Sequence, residues 1–223
     1  MHKFLFFDTE TTSLLNASKH KPGGEVIQFA AILVEPGFKV KRVINRYCSS
    51  TQLIDPNAEK VHGLSDKKIS ALSGGNFFET VAEKERLRSF DNVTWIAYNL
   101  AFDTKKINQT LTQNGYEPVN FGQTTQKLDF SAKGVFKYDA IDPLRVIHRS
   151  NYRVKLQDLV KHHIGADVFK SVCRKFRVQH NIIDPLIGKE DYFHNALFDT
   201  LALLLLVYKF RNHLQKSTGL NLI

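Results

Sequence analysis

The sequence predicts a mixed α/β domain, and three observations carry that prediction. Strand-like segments joined by short connections come first. Strand and helix patterns then alternate along the rest of the chain. The apolar fraction of 43% across 223 residues suffices for one well-filled core, so residues 1–223 are taken as a single domain.

The elements follow in order. Lys3–Phe7 is a Phe-rich run closed by acidic residues, which reads as a buried strand. Ala17–Gly24 carries Ser, Lys, Pro and two Gly and reads as a loop. Glu25–Val34 is a second apolar run, Pro36-Gly37 a turn, and Lys39–Cys48 the returning strand of a hairpin, an antiparallel start to the sheet. Ser65–Ala71 and Phe77–Phe90 have helical character, with Asp66 and Glu79 suited to first turns. Val93–Tyr98 is a short strand, and Ala101–Asn114 a helix closed by Gly115. A polar stretch over 117–137 follows. Tyr138–Arg149 reads as strand or short helix limited by Pro143, Lys155–Ile164 as a helix stopped by Gly165, and Asn195–Gln215 as the last helix.

Composition narrows the function classes. Lys and Arg number 31 against 22 Asp and Glu, a net charge of +9, which favours a polyanionic partner or reports only solubility. Cys48 and Cys173 are far apart and form no CxxC pattern, so neither a disulfide framework nor a zinc ribbon is indicated. His162-His163 is adjacent rather than helically spaced and does not suggest zinc either. The start, MHKFLFFDTE, is too short for a secretory signal and too acidic for a transit peptide, so the expected location is cytoplasmic. The apolar run Leu201–Tyr208 is closed by Lys209 and Arg211, well short of the roughly 20 residues of a membrane span.

Five residues carry candidate chemistry: Asp8, Glu10, Asp103, His194 and Asp199. Asp8 and Glu10, two apart at the end of the first strand, share one face of the sheet. Two carboxylates so close repel unless a cation sits between them, and oxygen-only ligands suit Mg²⁺ or Mn²⁺. A polar strand end is the plainer reading. Asp103 follows the fourth strand, at a carboxyl end where open α/β sheets gather ligands, or serves only as a helix N-terminal acid. His194 and Asp199 are five residues apart, roughly 140° around a helix, so they cannot act as a simple ligand pair. The spacing fits His194 before the helix and Asp199 within it.

Taken together, Phe7-Asp8-Thr9-Glu10-Thr11-Thr12, Ala97-Tyr98-Asn99-Leu100-Ala101-Phe102-Asp103 and His194-Asn195-Ala196-Leu197-Phe198-Asp199 resemble the three motifs of the DEDDh 3'→5' exonucleases. Val61-His62-Gly63-Leu64-Ser65 resembles a further signature of the proofreading branch. The resemblance spans about residues 3–210. It departs in a long 122–137 stretch before Asp142-Pro143-Leu144 and in a basic 169–191 stretch with Asp184-Pro185, both read as decorated loops.

The resemblance implies a ribonuclease H-like fold with a five-stranded mixed sheet in the order 3-2-1-4-5, flanked by helices. It implies two Mg²⁺ or Mn²⁺ ions held by Asp8, Glu10, Asp103 and Asp199, with His194 as general base. The substrate is expected to be DNA with a free 3' end, single-stranded or frayed. Thr9, Thr11, Thr12, Leu14, His62, Asn99 and Phe102 are its candidate contacts, and Lys105, Lys106, Arg174, Lys175 and Arg177 candidates for tracking phosphates. A polymerase or another replication or repair protein is the implied protein partner. Gln126–Phe130 distantly resembles a sliding-clamp peptide. The alternatives are an exoribonuclease of the same family, an inactive nucleic-acid-binding module, and a coincidence of motifs.

Overall fold

The computed structural model describes residues 2–15, 23–87, 93–122, 140, 141, 143, 154–182 and 192–218. Most of the 122–137 stretch, Asp142 and Leu144, Asp184-Pro185 and the clamp-like peptide lie outside the described residues.

The sheet is built around β1 (Lys3–Thr11), which pairs antiparallel with β2 (Val26–Glu35) and parallel with β4 (Val93–Ile96). β3 (Lys39–Tyr47) returns antiparallel beside β2 through Pro36–Phe38, where Gly37 and Phe38 both take positive φ (78° and 59°). These four strands carry the sheet. The fifth place is held by only two residues, Ala140–Ile141 (β5), paired parallel with Trp95 and Ile96. The order is β3-β2-β1-β4-β5.

β1 is longer than its apolar run suggests. The pairing continues through the acidic residues, Asp8 opposite Ala30 and Glu10 opposite Gln28, so both carboxylates stand on the strand rather than beyond it. The parallel partner ends sooner, at Ile96 opposite Phe6. That leaves a crevice at the carboxyl ends of β1 and β4. The register shifts between Glu10 and Thr11, with one extra residue on β2.

Period-two alternation divides β1 between two cores. Leu5 and Phe7 pack with Phe29, Trp95 and the helix α3 (Leu100–Gln113) on one face. Phe7 meets Trp95 edge to face at 5.5 Å. Phe4 and Phe6 pack on the other face against the C-terminal helix, whose Leu197 and Leu201 join that core. A third, small cluster, formed by Ile27, Tyr47, Ile54, Leu64 and Ile69, lies beneath α1 (Pro56–His62) and α2 (Asp66–Leu72). The extra residue on β2 is what turns Ile27 into this cluster.

Three expectations are corrected. α1 was not expected: it buries no residue, so it has no apolar stripe, and caps alone define it. Asp55 Oδ1 accepts the Asn57 N–H at 2.7 Å, Pro56 opens the helix and Gly63 closes it at φ 70°. The helix expected over 77–90 is a π-helical turn, Phe78–Glu83, followed by Arg86 at φ 52°. The basic stretch from Phe169 is no loop at its start. It belongs to α5 (Ala166–Gln179), which follows α4 (Leu156–His163) and buries Phe169, Cys173 and Phe176. α6 (Ala196–Thr218) completes the chain.

Cys48 and Cys173 are free and buried, and burial raises both thiols, Cys173 to about 12. Among the described residues, no helix is long and apolar enough to cross a membrane.

Candidate active site

The even-numbered residues of β1 that follow Phe6 are Asp8 and Glu10, so these carboxylates stand on the face that α6 covers. Asp199, in the first turn of α6, meets them there. One carboxylate oxygen from each of Asp8, Glu10 and Asp199 lies within 4.8 Å of the other two. All three residues are half-buried.

Asp103 approaches from the opposite face. It stands in the first turn of α3, only 2% exposed. Its Oδ1 accepts two hydrogen bonds from Thr9, one from the backbone N–H (3.1 Å) and one from the hydroxyl (2.7 Å). The grip belongs to the odd-numbered side of β1. Asp103 therefore stays outside the 4.8 Å group, yet it acts electrostatically on both Asp8 and Glu10.

The cost of this gathering is visible in the acidities. Burial holds the Asp8 carboxyl well above its ordinary 3.8, reinforced by Asp103, Asp199 and Glu10 and opposed by the Thr9 N–H. Glu10 is held well above 4.5 by burial, then by Asp199 and Asp103. Such a cluster sheds its protons when a cation is present to offset the repulsion. The donors are all carboxylate oxygens, a set that suits a divalent metal cation.

The His-x-x-x-x-Asp spacing has a local cause. Asn195 caps α6, its Oδ1 accepting from the Leu197 N–H at 3.1 Å. His194 precedes the cap in the left-handed region (φ 62°), exposed. Its backbone N–H donates to Asp199 Oδ2 at 3.1 Å. The same carboxylate that enters the acidic group thus also fixes the turn carrying the histidine. Gln28, fully buried on β2, ties this turn to the sheet by accepting the Ala196 N–H at 3.3 Å.

Beside the acidic group runs a cleft of about 370 Å³, within the range of small-ligand pockets. Thr9, Glu10, Thr11, Leu14, His62 and Phe102 line it, all expected from the sequence. Leu15, Asn57 and Ala58 line it too and were not expected; the last two arrive with α1. The chance to find them lay in the Asp55-Pro56 cap signal.

His62 is fixed as a wall. Its Nδ1 accepts the Leu64 N–H at 3.0 Å, so its Nε2 carries the proton that goes to the Thr11 carbonyl at 3.2 Å. Burial lowers its pKa, and the nearby His194 lowers it further.

Two expected contacts are placed elsewhere. Thr12 is fully buried, its Oγ1 accepting the Glu25 N–H at 2.9 Å, and it does not face the cleft. Asn99 is exposed at the head of α3, left-handed at φ 63°, where it turns the chain out of β4; it does not line the cleft. Of the candidate phosphate contacts, Lys105, Arg174 and Lys175 are exposed and Arg177 half-buried. Lys106 is fully buried, so its expected surface role is corrected.

Residues 5–207 match the family model described as exonuclease, RNase T. The chain is 27% identical over 173 residues to the DNA polymerase III subunit epsilon of Buchnera aphidicola subsp. Schizaphis graminum, covering 75% of this chain and 70% of that one. Among solved structures it is similar to E. coli exonuclease I bound to a dA16 oligonucleotide, with a TM-score of 0.63, 17% identity and 98% of this chain covered. It is also similar to the zinc-bound complex of the same enzyme with single-stranded DNA, with a TM-score of 0.66, 19% identity and the same coverage. At these identities the likeness is one of fold. The chain spans 42% of the length of both exonuclease I chains.

Proposed function

Because the chain belongs to the RNase T family of DEDDh 3'→5' exonucleases, we propose that it removes 5'-mononucleotides from the 3' end of single-stranded or frayed DNA. The observation that carries this reading is the meeting of Asp8, Glu10 and Asp199 within 4.8 Å, beside a cleft sized for a terminal nucleotide. The choice of DNA is supported by the oligonucleotide-bound exonuclease I structures and the polymerase subunit among its relatives. That last similarity also supports a polymerase or another replication or repair protein as partner.

The reading assigns two divalent ions to the site, supported by the carboxylate group formed by Asp8, Glu10 and Asp199. Asp8 would be shared, Glu10 and Asp199 would complete one shell, and Asp103, held back by Thr9, would serve the second through water. Bound there, the ions would supply positive charge at the phosphate and lower the pKa of water. The chain's own residues do the rest. His194 takes the proton of the attacking water; it suits the role as an exposed histidine on a turn fixed to Asp199. Leu14, Phe102 and Val61 present apolar surface to the terminal nucleoside, and Thr9 and Thr11 lie nearby for its 3' hydroxyl. The exposed cations Lys105, Arg174 and Lys175 and the half-buried Arg177 would follow the phosphates, so binding should weaken steeply with salt.

The test compares 3'-labelled and 5'-labelled single strands of DNA and RNA with Mg²⁺, Mn²⁺ or EDTA. Expected are mononucleotides released from the 3' end of DNA and silence in EDTA. Digestion undiminished by the chelator, or starting from the 5' end, would overturn the proposal; a preference for RNA would reassign the substrate. His194→Ala should slow turnover by about 10²–10⁴-fold while substrate binding persists. Wild-type turnover by that variant removes the histidine from the mechanism.

A further inference from the structure

Lys106 is the only fully buried lysine among the described residues, at 0% exposure. Lysines are almost never so placed unless paired. A leucine or methionine would fill the same volume without the cost of desolvating an ammonium. What the ammonium touches therefore matters, and both of its contacts are walls of the cleft. It donates to the Leu15 carbonyl and lies over the Phe102 ring, 5.5 Å from the centroid. Burial and the neighbouring Lys105 cation pull its pKa down to about 8.

The segment it holds has little packing of its own. Leu14 and Leu15 are 76% and 62% exposed, although both line the cleft. The backbone beneath them is pinned locally: the Gly24 N–H donates to Leu15 O at 2.9 Å, the Leu15 N–H to Ser13 Oγ at 3.3 Å, and the Thr11 hydroxyl to Ser13 O at 3.0 Å. None of these bonds is made by α3, whose Gln109 and Gln113 hold Gly24 and Gly23 but not the leucines. The bond from Lys106 goes to the lip itself and ties it directly to the helix that carries both Phe102 and Asp103.

We infer that Lys106 is a positioning residue: it holds the Leu14–Leu15 lip against Phe102 so that the apolar grip on the terminal nucleotide stays in register with the acidic group. This rests on the reading of the cleft as the terminal-nucleotide pocket. The charge of Lys106 is spent on the protein's own carbonyl. Its loss should weaken the grip without altering the reacting groups.

The test is Lys106→Met, which keeps the aliphatic stem and removes the cation. A hydrogen bond to a charged group contributes about 1.5–3 kcal/mol, so KM for a single-stranded DNA 3' end should rise about 10-fold or more, with kcat within about twofold. Hydrolysis of bis(p-nitrophenyl) phosphate, which has no nucleoside to grip, should be unchanged. Lys106→Gln retains a neutral donor and should fall between the two; it also serves if Lys106→Met does not fold. An unchanged KM in either variant, or an equal loss on both substrates, overturns the inference. Failure of the proposed function looks different, because wild-type protein would then release no nucleotide from the DNA end.

Discussion

Removing a negative charge from the acidic group should stabilise the metal-free protein while it disables the enzyme. The perturbation is Asp199→Asn, which retains an oxygen to accept the His194 N–H. Asp199 lies no more than 4.8 Å from both Asp8 and Glu10 at the closest oxygens. Two unit charges at that distance repel by about 3.5 kcal/mol at an effective dielectric of about 20. Proton uptake by Asp8 and Glu10, and solvent at the cleft mouth, relieve part of this. We expect a net gain of about 2 kcal/mol in EDTA, roughly 4–8 °C in melting temperature for a chain of this size. Wild-type protein should instead gain from Mn²⁺ or Mg²⁺, by about 2.7 kcal/mol at 100 times Kd, and turnover by the variant should fall by about 100-fold or more.

Titration supplies a second arm. Folded-state pKa values raised above the ordinary 3.8 and 4.5 mean that folding is favoured by bound protons. This contribution is fully present below those ordinary values and is lost as pH rises through the raised ones. Metal-free wild type should therefore lose stability over that rise, and Asp199→Asn should lose less. The assay is a set of thermal melts across pH, with and without metal. A variant that melts below wild type in EDTA, together with equal metal responses in both proteins, would refute the reasoning.

Two further perturbations follow. Thr9→Val deletes one of the two bonds that hold the buried Asp103 carboxylate and should cost about 1.5–3 kcal/mol in chemical denaturation, with lower turnover; Thr9→Ser should recover both, and a Val variant equal to wild type would show that Asp103 needs no such hold. Gly24→Ala would place a Cβ 2.1 Å from the Ser13 carbonyl oxygen, backbone against backbone, and should destabilise by about 1–3 kcal/mol or more; a melting temperature equal to wild type would show that the two segments part easily there.

Much of the architecture was legible because the physical signals were local. The Phe runs, the Pro36-Gly37 turn and Gly115 and Gly165 after helices mark elements by short-range rules. α5 also had its signal: Phe169, Cys173 and Phe176 recur at helical spacing and are buried. The cations Lys170, Arg174 and Lys175 between them obscure that spacing. α1 lacked any apolar signal, and only Asp55, Pro56 and Gly63 announced it. In the site, the gathering of Asp8, Glu10 and Asp199 followed from motifs legible in the sequence, but the relations among the candidate residues did not. That Thr9 would restrain Asp103, a residue 94 positions away, depends on which face of β1 each helix covers. Lys105 and Lys106 are chemically identical in sequence; one helical step of roughly 100° leaves the first exposed and carries the second into the interior. Glu85 is buried with Arg42 and Arg46 as partners, and nothing in its neighbourhood in the sequence announces it.

The site also has a phase. Asp8 and Glu10 belong to one parity of β1 and Thr9 to the other, and two helices on opposite sides of the sheet depend on that assignment. Inserting or deleting one residue between Lys3 and Asp8 would exchange the parities. Every side chain of the acidic group would survive, yet the carboxylates would be delivered to the wrong helix. Strand length is therefore as much a part of this candidate site as its carboxylates, and β1 should tolerate substitution far more readily than any change in its count.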